Sequence, residues 1–269
     1  MKLIKRRFAM LVALAQMDLA WEDFNTNINR VKTFTKEASS KNVELILFPE
    51  MCLSGFTNNI SSLEKSEDEI IETIKNIAVN NKINMGLGFA LKVDKKGENK
   101  YTIISKSGEV LANYTKIHPF TFGGEDKIYS KGDHIDICKI NEFKIAPFIC
   151  YDLRFPEIFQ IASKEAHIIT VGASWPKARE DHWISLLKAR AIENQCYIFG
   201  INRIGVGDGL EYNGASVFVS PTGEFLNDVN SKEGIIIKNI ELDKINKVKK
   251  QFNIKKDRRE ELYYKLGGN

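Results

Sequence analysis

The chain has 269 residues, 43% hydrophobic and 28% charged, with a formal net charge of +4. This suits one large α/β domain or two small ones, with core enough to fold without disulfides. So small a charge does not imply a nucleic-acid partner, and no apolar run reaches the length of a membrane span.

The start, "MKLIKRRFAMLVALAQMDLA", has the basic residues, apolar run and small residues of a secretory signal. Phe8 to Ala15 also reads as a buried strand that leads without a composition break into a helix over 23–40, with Ile28, Val31, Phe34 and Ala38 at helical spacing. The strand is the preferred reading. "VELILFPE" is a short strand closed by Pro49, and 66–80 returns to helix. Residues 83–93, 100–116 and 134–150 read as strands and hairpins, with turns at Ser107-Gly108 and Asn141-Glu142. Pro156 to Glu165 reads as a helix, 166–174 as a buried strand and 179–194 as a longer helix. Strands are expected at 196–203, 214–220, 224–229 and 234–240, with "SPTGE" as a turn. The spaced glycines of "GVGDGLEYNG" precede a strand, so they make a poor dinucleotide loop and suit a flexible loop over a pocket mouth. Buried strands alternating with helices early, and hairpins later, fit a layered α/β sandwich in a single domain spanning 1–269. Residues 241–269 form a basic C-terminal extension, read as a solvated helix face or tail.

Four cysteines, at 52, 138, 150 and 196, include no CxxC pair and suit reduced thiols in a cytosolic protein. Cys150 differs from the rest. It ends the apolar run "KIAPFIC", and "YDLRFPE" then prepares a helix start. Glu50 in "LILFPEMCLSGF" and Lys116 in "LANYTKIHPFTF" also sit at or just past strand ends, where α/β sheets gather their sites. Taken singly, these are an ordinary loop acid, surface lysine and packed thiol. Together they supply a nucleophile whose pKa must fall, an ammonium for a developing oxyanion and a carboxylate to move protons.

That ordered set, with "LILFPEMCLSGF", "YTKIHPF" and "ICYDLRFPE", resembles the three motifs of the nitrilase superfamily of carbon–nitrogen hydrolases. "GASWPKAREDHWISLLKARAIENQCYIFGINRIG" is most similar to its ω-amidase branch. The resemblance implies a four-layer αββα sandwich, no metal or organic cofactor and a homodimer pairing through the helices at 156–165 and 179–194. It also implies that cleaving the signal-like stretch would remove the first strand. By the same resemblance Glu50 is the general base, Cys150 the nucleophile, and Lys116 with the Tyr151 backbone N–H the oxyanion hole. Glu125 is the candidate for the family's second glutamate, with adjacent Asp126 as the alternative and a charged turn as the plainer use. Arg154 holds an anionic substrate end or braces its loop through Asp152 or Glu157. Trp175 is a pocket wall or core residue, and Lys177 and Arg179 reach a substrate carboxylate or face solvent.

The implied activity is hydrolysis of a small carboxylated amide of the 2-oxoglutaramate kind, in a cytoplasmic protein without nucleic-acid or membrane partners. Another carbon–nitrogen hydrolase, such as a deaminated-glutathione amidase or N-carbamoyl hydrolase, is the alternative. A non-catalytic scaffold is the reading from a different class.

Overall fold

The computed structural model describes residues 8–267. The basic start of the signal-like stretch, residues 1–7, lies outside them. The first half runs β1 (Ala9–Gln16), α1 (Phe24–Ser40), β2 (Leu45–Leu47), α2 (Glu67–Asn81), β3 (Asn84–Val93), β4 (Lys96–Ile104) and β5 (Val110–Thr115). Then come α3 (Glu125–Ile128), β6 (Cys138–Ile140), β7 (Phe143–Ile149), α4 (Pro156–Ala162), β8 (Ile168–Ala173) and α5 (Glu180–Asn194). The last part is β9 (Tyr197–Asn202), β10 (Ile204–Gly207), β11 (Leu210–Asn213), β12 (Val217–Val219), β13 (Gly234–Glu241), α6 (Leu242–Gln251) and α7 (Glu260–Gly267).

The period-two alternation of strand side chains builds the layers. Val12 and Leu14 of β1 and Leu45 and Leu47 of β2 face a core shared with the second sheet. Ala13, Ala15 and Ile46, with Phe48 just beyond β2, pack instead with Ile28 and Val31 of α1 and Ile70 and Ile74 of α2. Both faces are buried, which is why these strands read as unbroken apolar runs. One sheet has the order β13-β1-β2-β3-β4-β5, the other β12-β9-β8-β7-β6. In each, three parallel strands form the middle (β1, β2, β3 and β7, β8, β9) and antiparallel strands flank them. Ile158 and Phe159 of α4 and Trp183, Leu187 and Ala191 of α5 cover the second sheet, completing an αββα sandwich.

Three expectations need correction. Residues 224–229 form no strand; Phe225 makes one isolated bridge to Val219. Asn227 takes the ladder's place, its side chain accepting from Phe218 N at 2.9 Å and donating to the Ser216 carbonyl at 3.1 Å. The supposed loop 205–214 is the β10–β11 hairpin, turned by Asp208 and Gly209, both at positive φ. The basic extension is partly core, because Leu242 and Ile245 of α6 are buried.

Candidate active site

Glu50, Lys116 and Cys150 each follow a strand: Glu50 comes three residues after the end of β2, Lys116 directly after β5 and Cys150 directly after β7. Their side chains meet between the sheets. Lys116 Nζ lies 2.8 Å from Glu50 Oε1 and 2.8 Å from Glu125 Oε2, and all three residues are fully buried. Glu50 Oε2 accepts from the Ser174 N–H at 2.9 Å, just past β8. Two glycines make room for the Glu50 loop. A Cβ on Gly88 would sit 2.6 Å from Glu50 Cα, and one on Gly172 would sit 3.3 Å from Glu50 N.

Glu125, on the four-residue helix α3, is therefore the second acid at the lysine. Lys116 pairs with Glu50 and Glu125 and not with Asp126, whose Oδ1 is buried without a hydrogen-bond partner among the described residues. Asn99 of β4 was not singled out in the sequence, yet its Nδ2 donates to Glu50 Oε1 at 2.8 Å and Glu125 Oε1 at 2.9 Å. Its Oδ1 is buried without a partner. Because both neighbours are carboxylates, the amide nitrogen has to face them, and the oxygen is left over.

Cys150 opens a short 3-10 turn over Cys150–Arg154 with φ at +42°, a costly conformation for a residue with a side chain. Asp152 holds that turn, accepting from Ile149 N at 3.1 Å, Tyr114 Oη at 2.8 Å and His118 N at 3.0 Å. The imidazole of His118 also lies 2.8 Å from Asp152 and stacks on Phe155. Arg190, from the "RAIEN" string of α5, donates twice to the Leu153 carbonyl, at 3.1 and 2.8 Å.

The electrostatics revise the expected thiolate. Burial pushes the Cys150 thiol well up, the Glu50 carboxylate adds to this through charge and a hydrogen bond, and Lys116 opposes it. Two carboxylates outweigh one ammonium, so the resting sulfur is a protonated thiol beside a base. Burial alone would push the Lys116 ammonium down, but Glu125 and Glu50 more than reverse it and keep the lysine charged.

The site opens into a small cavity of about 50 Å³ lined by Cys150, Arg154, Trp175, Arg179, Leu210 and Tyr212, among others. Trp175 lines this cavity and also belongs to the buried core, so the two readings of it coincide. Asn202 holds its backbone from both sides, accepting from its N–H at 2.8 Å and donating to its carbonyl at 3.0 Å. Arg154 braces neither Asp152 nor Glu157. Its guanidinium lies 4.7 Å from the Trp175 ring centre, with Nη2 3.4 Å from His182 Nδ1. Arg179 lies over the Phe120 ring at 5.6 Å. Among the described residues neither arginine has a carboxylate within ion-pair distance. Lys177 is a correction: it is exposed, outside the cavity lining, and pairs with Glu211 at 2.9 Å.

An αββα sandwich with a glutamate, a lysine and a cysteine meeting at its strand ends belongs to a class of hydrolases. The profile of the carbon-nitrogen hydrolase family matches residues 11–250, and the chain belongs to that family, whose members hydrolyse carbon–nitrogen bonds. The 2-oxoglutaramate amidase of Bacillus subtilis is 30% identical over 94% of this chain and 98% of its own. The omega-amidase YafV of Yersinia enterocolitica is 33% identical over 79% of this chain and 82% of its own. Among solved structures, a CN-hydrolase superfamily protein of Xanthomonas campestris superposes with a TM-score of 0.88 at 25% identity, covering 93% of this chain and 97% of its own. A carbon-nitrogen hydrolase of Helicobacter pylori reaches 0.91 at 19% identity, covering 98% and 100%, a likeness of fold.

Proposed function

We propose that the protein is an amidase that releases ammonia from a small amide carrying a carboxylate, of the 2-oxoglutaramate or 2-oxosuccinamate kind. The observation that carries this is the pairing of a buried Glu–Lys–Cys cluster with two arginines in one cavity that have no carboxylate partner. Their guanidiniums suit the substrate's anionic end.

The chemistry follows from the geometry. Glu50 takes the Cys150 proton as sulfur adds to the amide carbon. Lys116 Nζ donates to Glu50 Oε1 at 2.8 Å and to both Glu125 oxygens, Oε2 at 2.8 Å and Oε1 at 3.1 Å, so turning an N–H to the oxyanion gives up the longer Glu125 contact. The Tyr151 backbone N–H is the second donor. The C–N bond breaks as Glu50 passes its proton to the leaving nitrogen, giving ammonia and a thioester on Cys150. Glu50 then takes a proton from water as the oxygen attacks, and returns it to sulfur when the acid leaves. Glu125 and Asn99 hold the lysine and base in place.

The relatives named 2-oxoglutaramate amidase and omega-amidase support this substrate class. No helix among the described residues is long and apolar enough to cross a membrane. The four cysteines are free and buried, which suits a reducing, cytoplasmic setting. Ile161 on α4 and Ile192 on α5 are 56% and 46% exposed, which supports pairing of two copies through those helices.

The test is ammonia release from carboxylated amides, neutral aliphatic amides, carbamoyl compounds and nitriles. A preference for the carboxylated amides, abolished in Cys150→Ala, is expected. Equal turnover of neutral amides refutes the substrate assignment, and activity surviving without the thiol refutes the mechanism.

A further inference from the structure

Tyr212 of β11 lines the same cavity as Cys150, Arg154 and Arg179 and is only 6% exposed. Buried tyrosines normally find a partner for the hydroxyl, and the others here do. Tyr101 donates to the Phe48 carbonyl, Tyr114 to Asp152, Tyr129 to the Thr57 carbonyl and Tyr197 to the Glu241 carbonyl. Tyr212 makes no such bond with any described residue, yet its oxygen is not sealed away from solvent.

The ring itself is firmly held. The guanidinium of Arg203, a fully buried residue, lies 4.4 Å from the ring centre. Arg203 is anchored in turn by Asp18 Oδ1 at 3.2 Å and the Ile204 carbonyl at 3.1 Å. Burial pushes the phenol up to about 12, against the pull of Arg203 and with the help of the Glu50 charge. The hydroxyl is therefore a neutral donor at working pH, near the reacting groups, with no acceptor among the described residues.

We propose that Tyr212 is a specificity residue whose O–H donates to a carbonyl oxygen on the carbon next to the substrate carboxylate. This rests on the carboxylated-amide reading above. The arginines supply charged partners for the carboxylate, so the neutral phenol pairs with the neutral oxo group. A methylene there would leave the hydroxyl unsatisfied, and an ammonium would sit close to two guanidiniums. The site thus selects 2-oxo acid amides over the same amides lacking the oxo group or bearing an amine.

The test is Tyr212→Phe, which keeps the ring against Arg203 and deletes only the hydroxyl. kcat/KM is measured on 2-oxosuccinamate and on succinamate, its analogue without the oxo group, for wild type and variant. The wild-type preference for the 2-oxo compound is expected to fall about tenfold in Y212F, mainly through KM. Because selectivity is a ratio, it is insensitive to the amount of folded enzyme. An unchanged ratio overturns the role of Tyr212 while leaving the carboxylated-amide reading intact. A wild type that cleaves butyramide as well as both carboxylated amides overturns both.

Discussion

Lys116→Met removes the cation that, among the described residues, is bonded to two fully buried carboxylates, each 2.8 Å from its nitrogen. What remains is Glu50 and Glu125 sharing the Asn99 amide at 2.8 and 2.9 Å, with one backbone N–H each, from Ser174 and Phe120. Breaking a buried ion pair by deleting one partner costs about 3–5 kcal/mol, and K116M should lose that much stability in urea unfolding. Loss of an oxyanion donor adds a fall of about 10²-fold or more in kcat, read by ammonia release. The two effects separate in K116M/E125Q. Removing the surplus carboxylate should restore about 1–3 kcal/mol through the coupling between neighbours, with no return of activity. A double variant no more stable than K116M, or a K116M as stable as wild type, would refute the claim that this lysine is held by charge rather than by packing.

Three further outcomes are expected. Glu50→Gln removes a charge that, after burial, raises the Cys150 thiol, so the pH midpoint for its alkylation by iodoacetamide should fall. Ammonia release should drop by about 10²–10⁴-fold in the same variant, and a midpoint that rises would contradict the assigned electrostatics. Gly88→Ala places a Cβ 2.6 Å from Glu50 Cα, against backbone that cannot swing aside. It should cost about 1–3 kcal/mol and lower kcat at least as sharply, and wild-type activity would show that the Glu50 loop is not held as described. Burial raises the thiols of Cys138 and Cys196 to about 12 and Cys52 higher still. Unfolded thiols lose protons near about pH 8.5, so this stabilisation is complete below that value and is lost as pH climbs toward the folded values. The urea midpoint should therefore fall between pH 8 and 10.5, and a rising midpoint would contradict it.

Glu50, Lys116 and Cys150 were legible because each follows an apolar strand, and the ends of β2 and β5 in one sheet face the end of β7 in the sheet packed against it. The sandwich was legible for a related reason, since strands buried on both faces leave unbroken apolar runs. Asn99 was not, because in "GENKYTIIS" it reads as one more polar residue near a hairpin. Its meaning comes from pairing with Ala90, which carries it to the carboxylates. Glu125 could not be separated from Asp126 without the register of a four-residue helix. Tyr212 was hidden in a stretch taken for a flexible loop, although the Asp208-Gly209 pair was a turn signal for a hairpin. Lys177 has the right charge in the right loop, but Glu211 on β11 draws it outward. The expected low-pKa thiolate overlooked burial, a property of the folded interior.

The central claim is that Cys150 carries the acyl group. Mixing the protein with 2-oxosuccinamate, quenching in acid within milliseconds and mapping peptides by mass should find the substrate's mass less ammonia on the peptide containing Cys150. That adduct should be absent from Cys150→Ala. An adduct on another residue, or full turnover by Cys150→Ala, would contradict the account.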